Sequence, residues 1–228
     1  TPLGSPLQSA YRPHHSTETA LLRITNDIFE ATESACATVL IALDLSAAFD
    51  TIAHTVLINR LSNMFGVTGK ALDWIRSYLT GRTSFVRIGS ASSTTTQSDT
   101  GVPQGSVLGP LLFSLFTTSL GDVISRFGLQ FHQYADDTQI YIAVSQQSIA
   151  GAVSDIAGCT TAVYEWLLHN GLALNPDKSE AALYGTAPRV RQLKDQLEVK
   201  VADTSIELSN SIKSLGVTLD EHLTFDEH

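Results

Sequence analysis

At 228 residues, 43 % apolar and 16 % charged, the chain is long enough for one or two domains with a sizeable core. No uninterrupted apolar run reaches the roughly 20 residues that span a bilayer, and no basic stretch leads into a hydrophobic one as in a secretory signal. A net charge of −9 is awkward for a nucleic-acid binder, and two cysteines are too few for a disulfide framework or a zinc site. Residues 1–15 are punctuated by Pro, Gly and Ser and are expected to be irregular. Ser16 or Thr17 can cap a helix, with Glu18 in its first turn; Leu21, Ile24 and Ile28 continue it to about Ala31. Residues 39–43, Val-Leu-Ile-Ala-Leu, form the unbroken apolar run of a strand covered on both faces.

Asp44 ends that strand. A carboxylate there serves stability poorly, so Asp44 is read as functional. Asp50 is read instead as the cap of a helix outlined by Val56, Leu57, Leu61 and Met64 and closed by Gly66. A further helix covers about 68–79, with Trp74 and Tyr78 assigned to the core. Residues 84–88 are β-rich, and the Ser/Thr tract 90–98 reads as a polar hairpin loop. Residues 101–110, Gly-Val-Pro-Gln-Gly-Ser-Val-Leu-Gly-Pro, hold three Gly and two Pro. Glycine lets backbone approach a ligand closely, and the amide of Gln104 can both donate and accept beside it. Pro110 suits the first turn of the helix that follows.

Residues 130–144 carry the acidic pair Asp136-Asp137 between two β-rich runs, so the pair is expected at the tip of a β-hairpin. A long amphipathic helix then runs through Ile149, Val153, Ile156, Val163 and Leu167 to a left-handed cap at His169-Asn170-Gly171. Strands over 172–174 and 181–184 flank the turn Asn175-Pro176-Asp177-Lys178. A short, solvated, charged helix (188–198) and β segments over 199–209 and 212–219 end the chain, with no internal repeat or domain boundary. Cys36 and Cys159 read as free buried thiols suited to a reducing compartment, and the seven His as surface or satisfied structural groups.

Adjacent carboxylates repel, and a cation is the usual remedy. Asp44 and Asp136-Asp137 are about 90 positions apart, yet each ends or bends an apolar strand, so they can meet on one sheet edge. An all-oxygen site of that kind suits Mg²⁺ or Mn²⁺. Two such ions about 4 Å apart support in-line phosphoryl displacement. The backbone carbonyl of Leu45 is a further candidate ligand. A metal-free hydrolase with two carboxylates, and a plain polar turn at Asp136-Asp137, stay open on these residues alone.

The order of blocks resembles the palm of a reverse transcriptase, specifically that of non-LTR (LINE-type) retrotransposons. Ala42-Leu-Asp44-Leu-Ser-Ala-Ala-Phe49-Asp50 is similar to the first catalytic block, Gly101-Val-Pro-Gln104-Gly105-Ser to the template and nucleotide loop, and Tyr134-Ala-Asp136-Asp137 to the signature tetrapeptide. Leu174-Asn-Pro-Asp-Lys178-Ser-Glu and Ser214-Leu215-Gly216-Val217 resemble the two blocks that follow, and Gln8-Ser-Ala-Tyr-Arg12-Pro-His-His-Ser16-Thr17 the block before.

The resemblance implies an α+β polymerase palm: a small antiparallel sheet with a catalytic β-hairpin, packed on helices. It implies an RNA-directed DNA polymerase acting on an RNA template, a DNA primer or target and dNTPs, with two Mg²⁺ ions (Mn²⁺ substituting) and no membrane. Asp44 and Asp136 would ligate the metals, with Asp137 beside them. Phe49 would gate the sugar against a ribose 2′-OH, and Gln104 and Gly105 would border nucleotide and template. Lys178 would approach the triphosphate, Arg12 would belong to the nucleotide site, and Ser214, Leu215 and Gly216 would steady the primer. Residues 1–228 are expected to form one palm and partial-fingers domain. The N-terminal fingers block, thumb and endonuclease segments of the parent polyprotein are expected to lie outside it, and the isolated fragment to polymerise poorly or not at all. The alternative is a catalytically incompetent relic, binding nucleic acid at most. Translation in the cytoplasm and target-site synthesis in the nucleus complete the expectation.

Overall fold

The computed structural model describes residues 4–202 and 204–226, so the irregular start expected over 1–15 and the β segment over 199–209 each include positions outside the described residues. Helix α1 (Thr17–Glu33) begins as its sequence dictates. Ser16 Oγ accepts from the Thr19 N–H while Thr19 Oγ1 accepts from the Ser16 N–H, a reciprocal cap. Strand β1 (Ala37–Leu43) follows, and it is the centre of the molecule.

The main sheet adds β2 (Gln130–Tyr134), β3 (Asp137–Val144), β4 (Glu180–Tyr184) and β5 (Leu208–Ser209), in the order β5-β4-β1-β3-β2. All neighbours are antiparallel except β4 and β5, which run parallel. Alternation along β1 sends Val39, Ile41 and Leu43 to one face and Leu40 to the other. The first face packs against α2 (His54–Phe65), α4 (Leu108–Thr117), α5 (Leu120–Ser125) and α6 (Ile149–His169). The second packs against Ile24 and Ile28 of α1 and a hairpin of β6 (Ser211–Ser214) and β7 (Val217–Asp220). Leu40 and Ile41 are each 1 % exposed, and burying such a side chain contributes roughly 1.5–3 kcal/mol. That double burial is why this segment reads as a continuous apolar run.

Helix α3 (Gly69–Leu79) leads into a small projecting unit, where residues 83–84 pair with 96–97 and residues 87–88 with 91–92. The polar tract is thus a hairpin, as expected. Other expectations need correction. Asp50 caps no helix: Ala53 stands at the α2 cap position, with no side-chain cap bond. Trp74 is not core; it is 59 % exposed and stacks on half-buried Tyr78. The charged helix is α7 (Ala187–Leu193) followed by a 3₁₀ turn, and it is not solvated all round, since Val190 and Leu193 are buried. Cys36 is half-buried rather than buried, whereas burial of Cys159 pushes its thiol up to about 12. His132 is neither superficial nor fully satisfied, because its Nδ1 is buried without a partner among the described residues. Residues 108–125 are long and apolar enough to cross a membrane, but they form α4 and α5 with more than half of the stretch buried inside the protein.

Candidate active site

The acidic pair lies where β2 turns into β3. Tyr134 pairs with Asp137, leaving Ala135-Asp136 as a two-residue loop. Ala135 takes φ +57°, the left-handed conformation that such tight hairpins demand at their first loop position. On the other side of β3, Leu43 pairs with Thr138. Asp44 therefore leaves β1 beside Asp137. Its own backbone is pinned from a third segment: the Asp44 N–H donates to Ser179 Oγ at 3.2 Å, and its carbonyl accepts from the Asn175 N–H at 2.9 Å.

Asp44 and Asp136 are half-buried, and Asp137 is exposed at the surface. Desolvation by the surrounding protein raises the Asp137 carboxyl, and the like charges of Asp136 and Asp44 raise it further. Two segments about 90 residues apart thus bring three carboxylates within electrostatic reach.

A second wall faces this edge. Phe49 stacks on Phe113, with ring centroids 4.4 Å apart and planes at 21°. It lines a cleft with Tyr11, Pro103, Gln104, Gly105 and Pro110. Tyr11 lines this cleft within electrostatic reach of the acidic turn: desolvation and then the charges of Asp136 and Tyr134 raise its phenol. The glycine-rich loop is fastened to the segment after β1. The Val102 N–H donates to the Phe49 carbonyl and the Gly101 N–H to that of Ile52, both at 2.8 Å. Gln104 Nε2 donates to both carboxylate oxygens of Asp50, at 2.9 and 3.0 Å. Gly101 has φ +81°, and a Cβ there would stand 2.8 Å from Asp50 backbone, so only glycine allows this approach.

The remaining candidates divide. Leu45 pairs with Leu174, which holds its backbone beside Asp44. Lys178 is exposed on the 3₁₀ turn next to Ser179, and among the described residues no carboxylate forms a salt bridge with it. Leu215 and Gly216 form the tip of the β6–β7 hairpin, at φ +49° and +88°. Ser214 turns inward: it is 4 % exposed, and its Oγ accepts from Gln139 Nε2 at 2.6 Å. Arg12 also serves the interior, because its Nη1 donates to the carbonyls of Ser5 and Gln8 at 3.0 Å each. Tyr11 has no role in the sequence pattern, and Trp74 lies at the surface rather than in the core. A surface strip runs from exposed Trp74 over half-buried Tyr78 to exposed Arg82, whose guanidinium lies 5.0 Å above the Tyr78 ring. The Tyr78 hydroxyl bonds Ser106 Oγ at 2.7 Å, tying that face to the glycine-rich loop.

Among the described residues, no three His, Cys, Asp or Glu side chains are gathered into a ready metal cage. The donor chemistry nonetheless fits a hard divalent cation. Asp137 carries uncompensated like-charge repulsion, and Mg²⁺ is commonly held by one or two carboxylates, waters and substrate phosphates rather than by a closed protein cage.

A β-hairpin bearing acids, paired with β1 and flanked by α1, α5 and α6, is the arrangement of a polymerase palm. Residues 2–219 match the family described as reverse transcriptase (RNA-dependent DNA polymerase), and the chain belongs to that family. It is 29 % identical over 230 residues to the RNA-directed DNA polymerase from mobile element jockey of Drosophila melanogaster, covering 97 % of this chain and 24 % of that protein. It is 30 % identical over 224 residues to the probable RNA-directed DNA polymerase from transposon X-element of the same fly, with the same coverage. The chain therefore spans about a quarter of the length of these relatives. In fold it is similar to apo telomerase from Candida tropicalis truncated from its C-terminal domain, with a TM-score of 0.62 at 13 % identity over 96 % of this chain and 40 % of that one. Telomerase from Candida albicans, in complex with a fragment of telomeric RNA, aligns with a TM-score of 0.58 at 12 % identity over 93 % of this chain and 33 % of that one.

Proposed function

We propose that this chain is the palm with part of the fingers of an RNA-directed DNA polymerase of the non-LTR retrotransposon kind, with residues 1–228 acting as one unit. The observation that carries the reading is the convergence of Asp44 with the Asp136-Asp137 turn beside the cleft of Phe49, Gln104 and Gly105. The reaction is attack of a primer 3′-oxygen on the α-phosphate of a dNTP, with loss of pyrophosphate. Two Mg²⁺ ions, or Mn²⁺ in their place, supply activation of the attacking oxygen and stabilisation of the leaving one when bound.

The chain's own residues position the reactants. Asp44 and Asp136 hold the cations, with the Leu45 carbonyl and Asp137 next to them. Phe49, backed by Phe113, presents a rigid ring to the sugar and disfavours a 2′-OH. Gln104, oriented by Asp50, borders the base with Gly105. Lys178, exposed beside the Asp44 anchor, reaches toward the triphosphate. The Leu215-Gly216 tip steadies the primer. Arg12 acts only by holding its own loop.

RNA template would lie on the Trp74, Tyr78 and Arg82 face. Residues 66–98 hold Lys70, Arg76, Arg82 and Arg87 against Asp73 alone, a local +3 in a chain of −9. Exposed aromatics beside Arg offer stacking to unpaired bases at a positively charged surface. Target DNA places the work of the parent protein in the nucleus, after translation in the cytoplasm.

The test is primer extension on an RNA template with Mg²⁺ or Mn²⁺, using this chain and a longer one carrying flanking segments of the parent protein. The longer chain extends the primer, and its Asp136→Asn variant does not. Equal extension by both would remove the carboxylates from the reaction.

A further inference from the structure

The loop carrying Asp136 is held by a side chain from far upstream. Gln8 is 4 % exposed. Its Oε1 accepts from the Ala135 N–H at 2.9 Å and from the Ala10 N–H at 3.0 Å, and its Nε2 donates to the Ala135 carbonyl at 3.1 Å. One amide therefore occupies both backbone polar groups of the residue just before Asp136. The segment around it is fixed in turn. The Gln133 N–H donates to the Leu7 carbonyl at 2.8 Å, and the Ser9 N–H to the Gln133 carbonyl at 2.9 Å, a short parallel bridge along the outer edge of β2. Arg12 Nη1 holds the Gln8 carbonyl from behind.

Ala135 has φ +57°. That conformation is strained for a non-glycine L residue, and a tight hairpin loop usually places Gly or Asn there. Here the loop residue is alanine, so the loop conformation needs support from outside the hairpin. A glutamine matches that need. It offers an acceptor and a donor on one planar group, whereas Glu supplies acceptors alone and Met supplies neither.

We propose that Gln8 is a positioning residue: its amide locks Ala135 in the left-handed conformation and so fixes where Asp136 and Asp137 point relative to Asp44. This rests on the catalytic reading of those carboxylates. Gln8 touches no substrate; it acts through the loop.

The experiment follows two quantities in the wild-type chain and in Gln8→Met, Gln8→Glu, Ala135→Gly and Gln8→Met/Ala135→Gly. One is hydrogen exchange at the Ala135 amide, read against amides of β1. The other is binding of Mn²⁺ as a probe, followed by its electron paramagnetic resonance signal. Gln8→Met speeds exchange at Ala135 about tenfold or more, leaves β1 protection unchanged and weakens Mn²⁺ binding severalfold. Gln8→Glu falls between. Ala135→Gly restores most of the Mn²⁺ affinity in the Gln8→Met background, since glycine adopts the loop conformation without support.

Wild-type exchange at Ala135 in Gln8→Met overturns the proposal. So does exchange accelerated uniformly across the sheet, which would make Gln8 merely structural, and so does the absence of any rescue by Ala135→Gly. The catalytic reading fails separately: Mn²⁺ binding that is untouched by Asp136→Asn removes that reading, while exchange at Ala135 still decides whether the lock exists.

Discussion

Leu43 stands opposite Thr138 in the ladder between β1 and β3. Asp44 follows Leu43 at the end of β1 and Asp137 precedes Thr138 at the start of antiparallel β3, so a single pairing register brings together acids separated by about 90 residues. The register is defended by burial on both faces. A slip of one residue would exchange the two faces of β1 and send Leu40 and Ile41 into the wrong cores.

The convergent charge has a measurable consequence. Mg²⁺ or Mn²⁺ should raise the melting temperature of the chain at neutral pH by a few degrees, because a cation relieves the repulsion that raises Asp137. Asp137→Asn should stabilise the metal-free chain by less than about 1 kcal/mol, given the solvent around that exposed side chain, and should shrink the metal-induced rise. Thermal melts with and without cation check both. An Asp137→Asn chain that keeps the full metal-induced rise would take Asp137 out of the cluster.

Phe49 serves two purposes at once. Its ring stacks on Phe113 and forms part of the cleft. Phe49→Val should raise ribonucleotide incorporation by the longer, active chain roughly tenfold or more, and should cost about 1–2 kcal/mol of stability through loss of the aromatic pair. Incorporation assays with dNTP and NTP mixtures, paired with urea unfolding, separate the effects. Unchanged sugar selectivity in a destabilised variant would leave Phe49 as core alone.

Much of this site is legible in the chain because its chemistry conflicts with its surroundings. An acid at the end of an apolar strand and two adjacent acids between β runs are poor choices for stability, and they mark Asp44 and Asp136-Asp137 without coordinates. The loop 101–106 is legible for a similar reason, since Gly101 at φ +81° is the only residue type that clears Asp50. Partnerships made by ordinary residues are not legible. Asp50 looks like a cap because a helix follows it, and only the folded chain reveals Gln104 at its carboxylate. Gln8 and Tyr11 fall within a matching block that gives neither a role, and Trp74 reads as core because aromatics at helical spacing are the commonest of patterns. Arg12 and Ser214 err the other way: matching blocks suggest a ligand, whereas hydrogen bonds turn both inward.

The Trp74 face predicts RNA binding that can be read without polymerisation. Trp74 is 59 % exposed, so Trp74→Ala should change stability by no more than about 0.5 kcal/mol. It should weaken binding of a single-stranded RNA by about 1–3 kcal/mol, the usual contribution of one base–aromatic stack. Anisotropy of a labelled RNA reads the affinity of both chains, and in the wild type stacking quenches Trp74 while Trp166, partly buried against the core, serves as an internal reference. Arg82→Ala should lower the salt dependence by roughly one phosphate contact. RNA affinity that is indifferent to both substitutions would move the template elsewhere.

His132, on the strand that leads into the acidic turn, makes the fold sensitive to acid. Burial, reinforced by the charges of Arg23 and His15 and opposed by Asp27, lowers its pKa to about 4. Its Nε2 meets Ser9 Oγ at 2.9 Å, and its Nδ1 has no partner among the described residues. The unfolded chain takes up this proton near pH 6.5, whereas the folded chain resists until about pH 4. The stability that depends on neutral His132 is therefore complete above about pH 6.5 and is lost as the pH falls toward 4, by about 2 kcal/mol at pH 5. Urea unfolding of the wild-type chain and of His132→Gln at pH 7, 6 and 5 measures this. The variant is less stable at pH 7 but flatter across the series. Parallel pH profiles for the two chains would assign the acid sensitivity to other groups.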